Sequence, residues 1–193
     1  MQSICVFCGS SHGVRAQYTA SARELGQLLA ERGITLVYGG GRVGLMGVLA
    51  DAVLAAKGRV IGVIPEFLWQ REVGHTGLSE LHIVHSMHER KALMADLSDA
   101  FIALPGGVGT LEEFFEIWTW GVLGLHAKPF GILNVEGFYS ALVQHIDRMV
   151  TEGFLPEQFR DLVLIETDPA HLLARVSAHK PARVKQVIDV DEI

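Results

Sequence analysis

Short runs of consecutive apolar residues alternate along this chain with segments whose apolar residues recur every three or four positions. The runs have the length of strands and lack polar alternation, which is typical of strands buried on both faces. The segments between them have the period of helices. We therefore predict a doubly wound, mostly parallel α/β sheet of the Rossmann-like class, with helices on both faces. The predicted strands are 4–7, 34–38, 60–64, 81–84, 100–104, 130–133 and 162–165.

The sequence also predicts where one helix begins, where a long loop lies and how many domains the chain has. Ser86 is followed three residues later by Glu89, the spacing of a capping box, so a helix is predicted to begin there. Residues 66–80 show no period and are predicted to form a loop. No repeat or linker divides the chain, so we expect residues 1–178 to form one domain and residues 179–193 a loosely attached tail.

Composition narrows the class of protein. The chain has 193 residues, of which 49% are apolar, enough for one core without disulfides or metals. It carries 22 acidic and 16 basic side chains, and its formal charge of −6 argues against nucleic acid as a partner. No apolar stretch approaches the about 18 residues of a membrane helix, and the first residues do not resemble a signal peptide. We expect a cytoplasmic protein with no membrane partner.

Two glycine-rich turns follow predicted strands, and ligands bind in such folds beyond the carboxyl ends of the strands. In the first turn Gly39, Gly40 and Gly41 precede Gly44, which matches the G-x-G-x-x-G pattern. The pattern fits either backbone N–H groups that contact a phosphate or a tightly packed strand-to-helix turn. It follows the second strand rather than the first, so a nicotinamide dinucleotide site is the weaker alternative.

The second turn begins at Pro105 and leads into a predicted helix. Thr110 supplies a hydroxyl at the start of that helix, where free N–H groups and the helix dipole favour an anion. Glu113 lies about one turn further on. Because a carboxylate repels phosphate, Glu113 suits a part of the ligand that becomes positively charged. The structural alternative is a favourable charge at a helix N-terminus, and Glu112 fits that alternative better.

Arg90 and Lys91 follow the predicted cap at Ser86. Cations oppose the helix dipole there, so the pair either neutralises an anionic ligand group or belongs to a solvated surface.

Cys5 and Cys8 are spaced as C-x-x-C, but residues three apart on a strand point to opposite faces, and the chain has no second cysteine pair. We therefore expect no metal and no cofactor.

Three segments together resemble the LOG (Lonely Guy) family: residues 39–47 (GGGRVGLMG), 87–92 (MHERKA) and 105–113 (PGGVGTLEE). The similarity extends over about residues 3 to 165. It implies hydrolysis of the N-glycosidic bond of a purine nucleoside 5′-monophosphate, such as a cytokinin riboside 5′-monophosphate or AMP, to a free base and ribose 5-phosphate. Family members have sometimes been labelled lysine decarboxylases, but the sequence offers no candidate site for a pyridoxal cofactor.

The resemblance also implies roles for individual residues. Arg90 and Glu113 match the positions that the family uses for catalysis. The family is further expected to form a homodimer in which the neighbouring subunit completes the base pocket. The positions that match substrate contacts are Glu72, Arg90, Lys91, Gly107, Val108, Gly109, Thr110, Leu111, Glu112, Glu113 and Thr119, with Gly39, Gly40 and Gly41 as additional candidates for phosphate contacts.

Two other functions stay open at this level. A non-catalytic nucleotide or molybdenum-cofactor carrier uses the same kind of fold, although the Arg90 and Glu113 pair favours an enzyme. An NAD-dependent oxidoreductase would need a proton relay that the sequence does not offer. The preferred base and the group that protonates the leaving base also stay open. Phe114, Phe115 and Trp118 share one helical face that fits either a subunit interface or the core.

Overall fold

A computed structural model describes residues 1–71 and 74–179 of the chain. Its seven strands form one sheet in which all neighbouring strands are parallel. Each predicted strand is confirmed, with ends that differ by no more than about one residue. The strands are β1 (Ser3–Phe7), β2 (Thr35–Tyr38), β3 (Val60–Pro65), β4 (Glu80–Val84), β5 (Ala100–Ala103), β6 (Phe130–Leu133) and β7 (Val163–Glu166).

Helices connect the strands throughout the described ranges. The predicted loop over residues 66–80 was wrong at its start, where a helix of a single turn forms, because so short a helix shows no period in the sequence. The helices are α1 (Ala16–Glu31), α2 (Gly44–Ala55), α3 (Glu66–Trp69), α4 (Met87–Asp96), α5 (Val108–Val122), α6 (Ser140–Thr151), α7 (Glu157–Arg160) and α8 (Pro169–Ala178), with a 3₁₀ turn at Val135–Gly137.

The sheet lies between two layers of helices, and each face has its own apolar core. Helices α1, α2 and α8 cover one face, and α4, α5, α6 and α7 cover the other. Cys5 belongs to the second core and Cys8 to the first, so the two thiols are on opposite faces and both are free. Phe114 and Trp118 are buried in the second core, which assigns them to the interior of this chain.

The strand order β4-β3-β2-β1-β5-β6-β7 reverses direction between β1 and β5. A crevice opens at such a point because the connections on its two sides leave the sheet in opposite directions. Backbone hydrogen bonds join the turns there: Gly9 N–H donates to the Pro105 carbonyl at 3.1 Å, and Leu45 N–H donates to the Gly9 carbonyl at 3.0 Å. The turns after β1, β2 and β5 therefore form one connected rim around this crevice.

The start of α4 has the predicted cap. The Ser86 hydroxyl accepts a hydrogen bond from Glu89 N–H at 3.1 Å, and the Glu89 carboxylate accepts one from His85 N–H at 2.8 Å. This arrangement fixes where α4 begins, and with it the positions of Arg90 and Lys91.

Of the predicted tail, only residue 179 belongs to the described part of the chain, so the division into a domain and a tail stays a prediction. In the two described ranges, no helix is both long and apolar enough to span a membrane.

Candidate active site

A cleft of about 660 Å³ opens at the carboxyl ends of β1, β2, β3 and β5. Its polar wall contains Arg90 from α4 together with Glu112 and Glu113 from α5. The tip of α5, residues 107–110, forms part of its rim. The cleft therefore lies at the reversal of the strand order, where an open α/β sheet binds its ligands.

Arg90 is held in the wall of this cleft by contacts from three directions. Its Nε–H donates to the Val63 carbonyl at 3.2 Å, and its Nη1 lies 2.9 Å from Glu113 Oε1 and 3.8 Å from Met87 Sδ. A Cβ at Gly39 would overlap Arg90 Nη2, so the glycine leaves space for the guanidinium. Within the described chain Nη2 donates no hydrogen bond, which leaves its two hydrogens available to a ligand.

Glu113 is the buried partner of Arg90, with 8% of its surface exposed. Burial raises the pKa of this carboxyl. The charge of Arg90 opposes that effect, Glu112 adds to it, and the net pKa is raised. Oε1 faces Arg90, whereas Oε2 has no hydrogen-bond partner within residues 1–71 and 74–179. A carboxylate that borders the cleft in this way can interact with positive charge on a bound molecule.

The second glycine turn, residues 105–110, presents the N-terminus of α5 to the cleft. The N–H groups in the first turn of a helix have no partners within the helix, and in α5 no side chain caps them. A Cβ at Gly107 or Gly109 would meet no atom within 4 Å. Thr110 is buried, yet its hydroxyl makes no hydrogen bond to any residue that the structure describes. These features are typical of an anion-binding site at a helix N-terminus.

The first glycine turn, residues 39–44, is packed against the protein instead. Gly40 has φ +72° and its carbonyl accepts a hydrogen bond from His75 N–H at 2.8 Å, while Gly41 pairs with Gly74 in an isolated antiparallel bridge. Gly44 has φ +59°, and a Cβ there would overlap the backbone of Ser10. Only Gly39 and Gly41 of the three candidate phosphate contacts line the cleft.

Three other candidate residues, Lys91, Leu111 and Thr119, lie outside the cleft lining. Lys91 is buried, and its Nζ contacts Glu112 Oε1 at 2.5 Å and Glu116 Oε2 at 2.8 Å. Thr119 is exposed, and its hydroxyl donates to the Phe115 carbonyl at 2.7 Å. At about 1.5 Å per residue it lies roughly 13 Å beyond Thr110 along α5. Leu111 packs against the second core, and Glu72 lies outside the described residues.

Several cleft residues were not identified from the sequence. Cys8 and Ser10 follow β1, Ile64 lies on β3, and Leu68 and Met87 add apolar surface. The rule that ligands bind beyond the carboxyl ends of strands applies to β1 and β3 as well, and it was a usable signal for Cys8 and Ser10. Burial makes the Cys8 thiol harder to ionise, because its pKa rises through desolvation and the nearby charge of Glu113.

Comparison with known proteins identifies the family of this chain. Residues 46–176 match the family model described as "Possible lysine decarboxylase". The cytokinin riboside 5′-monophosphate phosphoribohydrolase LOG of Oryza sativa subsp. japonica is 50% identical over 178 residues, 92% of this chain and 74% of the relative. The enzyme of that name from Rhodococcoides fascians is 50% identical over 176 residues, 91% of this chain and 89% of the relative. The chain belongs to the LOG family.

Solved structures share the fold of this LOG-family chain at low sequence identity. The molybdenum cofactor binding protein of Rippkaea orientalis has a TM-score of 0.68 and 22% identity, covering 92% of this chain and 97% of its own. The molybdenum cofactor carrier protein of Chlamydomonas reinhardtii has a TM-score of 0.68 and 21% identity, covering 91% and 96%. At such identities the likeness shows the Rossmann-like architecture and nothing about the ligand.

The residues of the LOG-family cleft do not fit the pyridoxal cofactor of a lysine decarboxylase. That cofactor is held as a Schiff base by a lysine. The cleft lining found in the described ranges includes no lysine, and the nearby Lys91 is surrounded by two carboxylates. Burial lowers the pKa of Lys91, but the interactions of its ammonium with the Glu112 and Glu116 carboxylates outweigh that effect and raise the pKa, so Lys91 stays protonated instead of acting as a nucleophile.

Proposed function

We propose that this LOG-family chain hydrolyses the N-glycosidic bond of a nucleoside 5′-monophosphate, releasing the free base and ribose 5-phosphate. One observation carries the proposal: the buried pair of Arg90 and Glu113 borders the same cleft as the uncapped N-terminus of α5. A site that combines an anion-binding helix tip with a carboxylate suits a substrate with a phosphate at one end and a developing cation further along.

The phosphate would bind at the tip of α5. The open space beside Gly107 and Gly109 admits phosphate oxygens close to the backbone, and the Thr110 hydroxyl adds a donor. Arg90 Nη2 adds charged donors in the same cleft. Leu111 and Glu112 belong to the same helical turn, in which Glu112 borders the cleft and Leu111 supports the turn from the core.

Glu113 would stabilise the transition state. Breaking a ribosyl N–C bond passes through an oxocarbenium-like state with positive charge on the sugar. A carboxylate fixed beside that carbon stabilises the charge as it develops, and its free Oε2 can orient or deprotonate the attacking water. Arg90 cannot serve as the general acid because its guanidinium does not release a proton. Its role is to hold Glu113 in place, keep it ionised and contact the substrate.

The substrate class follows from the relatives and from the apolar part of the cleft. Val43, Met46, Ile64, Leu68 and Met87 line the cleft beside the charged pair. Such a lining suits a purine with an apolar N6 substituent. Relatives at about half identity are named for cytokinin riboside 5′-monophosphates, which supports N6-substituted AMP as the preferred substrate of this chain.

A product assay tests the proposed function. The purified protein is incubated with AMP, GMP, CMP and isopentenyladenosine monophosphate, and released base and ribose 5-phosphate are quantified. We expect stoichiometric release of both products, fastest from the N6-substituted nucleotide. Binding of these nucleotides without release of base would contradict hydrolysis and favour the carrier alternative, which at present rests on fold likeness alone.

A homodimer is also part of the proposal. Thr119, a substrate-contact candidate, lies on an exposed face of α5 outside the cleft of its own chain, so it could reach a nucleotide only in the cleft of a second copy. Size-exclusion chromatography with light scattering is expected to give twice the mass of the chain at micromolar concentration. A monomer that retains full activity would exclude a shared site. The cytoplasmic location stays a prediction.

A further inference from the structure

Helices α4 and α5 are connected by two sets of ion pairs on neighbouring residues. Arg90 contacts Glu113, with Nη1 and Oε1 2.9 Å apart. The next residue, Lys91, contacts Glu112 at 2.5 Å and Glu116 at 2.8 Å. We call Lys91, Glu112 and Glu116 the Lys91 cluster. The side chain of Lys91 is only 5% exposed, so this cluster is mostly shielded from water on the lysine side.

We propose that Lys91 is a positioning residue for the hydrolysis: it holds α4 against the first turns of α5, so that Arg90 meets Glu113, without contacting the substrate itself. The inference rests on the proposed function and deepens it. It also separates two adjacent residues that the family resemblance places together among the substrate contacts.

The spacing of the carboxylates along α5 favours one register between α4 and α5. Glu112 and Glu116 are four residues apart and share one face of α5, while Glu113 lies on the adjacent face and contacts Arg90. A shift of α4 by one residue along its axis would separate Arg90 from Glu113 and Lys91 from its two carboxylates. Because Lys91 has a carboxylate on each side, it favours one register between the two helices.

Arg90 and Lys91 differ in their access to the cleft. Arg90 lines the cleft, whereas Lys91 is absent from its lining. Lys91 Nζ donates a hydrogen bond to Glu112 Oε1 and lies 2.8 Å from Glu116 Oε2 in an ion pair. To reach a nucleotide in the cleft, Lys91 would have to abandon both partners and leave the Glu116 carboxylate in a partly buried position without its cation, which is unfavourable. The ammonium is therefore committed to α5.

Electrostatics gives the cluster a second effect on Glu113. The charged groups that act on this carboxyl are Arg90 and Lys91 on α4 and Glu112 and Glu116 on α5. The thiols of Cys5 and Cys8 also lie near it, and the charge of Glu113 helps to raise their pKa values. Glu112 and Glu116 raise the pKa of Glu113, whereas Lys91 lowers it. Without the lysine, two carboxylates near Glu113 would lose their counter-charge, and the working acid would ionise only at higher pH.

The test compares Lys91→Met, Lys91→Arg and the double variant Lys91→Met with Glu116→Gln in steady-state assays with AMP over a range of pH. For Lys91→Met we expect kcat to fall at least about tenfold, KM to change less than about twofold, and the acid limb of kcat/KM to move to higher pH. Lys91→Arg keeps the charge and should recover most of kcat. The double variant should move the acid limb back towards that of the wild type.

A substrate contact would give a different pattern. If Lys91→Met raises KM at least about tenfold with kcat retained, or if Glu116→Gln fails to compensate, the inference is wrong. Should Lys91→Met fail to fold, Glu116→Gln alone is measured, and a kcat unchanged from the wild type would overturn the inference. Wild-type protein that releases no base would instead contradict the proposed function. In that case a double-mutant cycle of Lys91 and Glu116 on thermal unfolding still tests the ion pairs, and zero coupling would overturn the inference.

Discussion

The two glycine-rich turns look alike in sequence and differ in what their glycines face. In the first glycine turn, protein atoms fill the space that a side chain would take: Gly39 leaves space for Arg90, and Gly44 has φ +59° against the backbone of Ser10. In the second glycine turn, Gly107 and Gly109 face open space and need no positive φ. Gly106 is the exception there, because a Cβ would overlap Thr110.

Glycine is therefore needed for two different reasons in the two turns. Where a Cβ would overlap neighbouring protein atoms, or where φ is positive, the fold itself requires glycine. A glycine in ordinary backbone conformation beside empty space is explained by a ligand that must approach the backbone. The first glycine turn therefore mainly positions Arg90 and joins the rim of the cleft, and the second is the better candidate for the phosphate.

The largest expected effect comes from the carboxylate that the second turn leads to. Glu113→Gln removes the charge that stabilises the cationic sugar, so kcat should fall at least about 100-fold, equivalent to about 2.7 kcal/mol. Glutamine retains an acceptor for Arg90, so circular dichroism and the melting temperature should stay close to those of the wild type. Near-native turnover would remove Glu113 from the mechanism.

Gly44→Ala should show the structural nature of the first turn. The new Cβ meets the Ser10 backbone, and alanine is strained at φ +59°. We expect the free energy of unfolding to drop by about 2 kcal/mol or more, measured by urea denaturation. A loss below about 0.5 kcal/mol would mean that this turn tolerates a side chain, and the contrast between the turns would fail.

Gly109→Ala is the matched change in the second turn. Residue 109 lies in the first turn of α5 with open space around it, so alanine should leave the free energy of unfolding unchanged or raise it by up to about 1 kcal/mol. The added methyl group enters the space proposed for phosphate, and KM for AMP should rise about tenfold, or about 1.4 kcal/mol. An unchanged KM would place the phosphate elsewhere.

The smallest expected effect is a decrease in the free energy of unfolding at low pH, caused by His126, which lies in neither glycine turn. Measuring it distinguishes unfolding at low pH from a loss of activity at low pH. His126 donates to the Ile117 carbonyl at 3.1 Å and packs on Phe101 and Phe130. Burial lowers its pKa below the ordinary 6.5, so the unfolded chain binds this proton more readily. The free energy of unfolding should therefore fall as pH decreases below about 6.5, by up to about 1 kcal/mol at pH 5.5.

His126→Gln is the control for that measurement, because a side chain that does not titrate lacks this contribution. Denaturation of both proteins between pH 5.5 and pH 7.5 gives the difference in slope. Equal slopes would show that His126 is protonated as easily in the folded protein as in the unfolded chain, which would contradict the lowered pKa.

Sequence patterns predicted the strands more reliably than the short helices. Strands buried on both faces give uninterrupted apolar runs, and the glycines and the cap at Ser86 mark where neighbouring helices begin and end. Helices α3 and α7 were not predicted from the sequence, because a single turn has too few residues to show a period. The interior position of Phe114 and Trp118 also required the structure, since a helical face fits a core and an interface equally well.

The sequence by itself determined the α/β class, the second glycine turn and the candidates Arg90 and Glu113, because these depend on local periodicity, turn residues and short motifs. Tertiary structure decided that Arg90 faces the cleft while Lys91 is buried against Glu112 and Glu116. It also decided which glycines face protein and which face open space. The physical reason is that contacts between α4, α5 and the turns join residues far apart in the chain, and no local pattern contains that information.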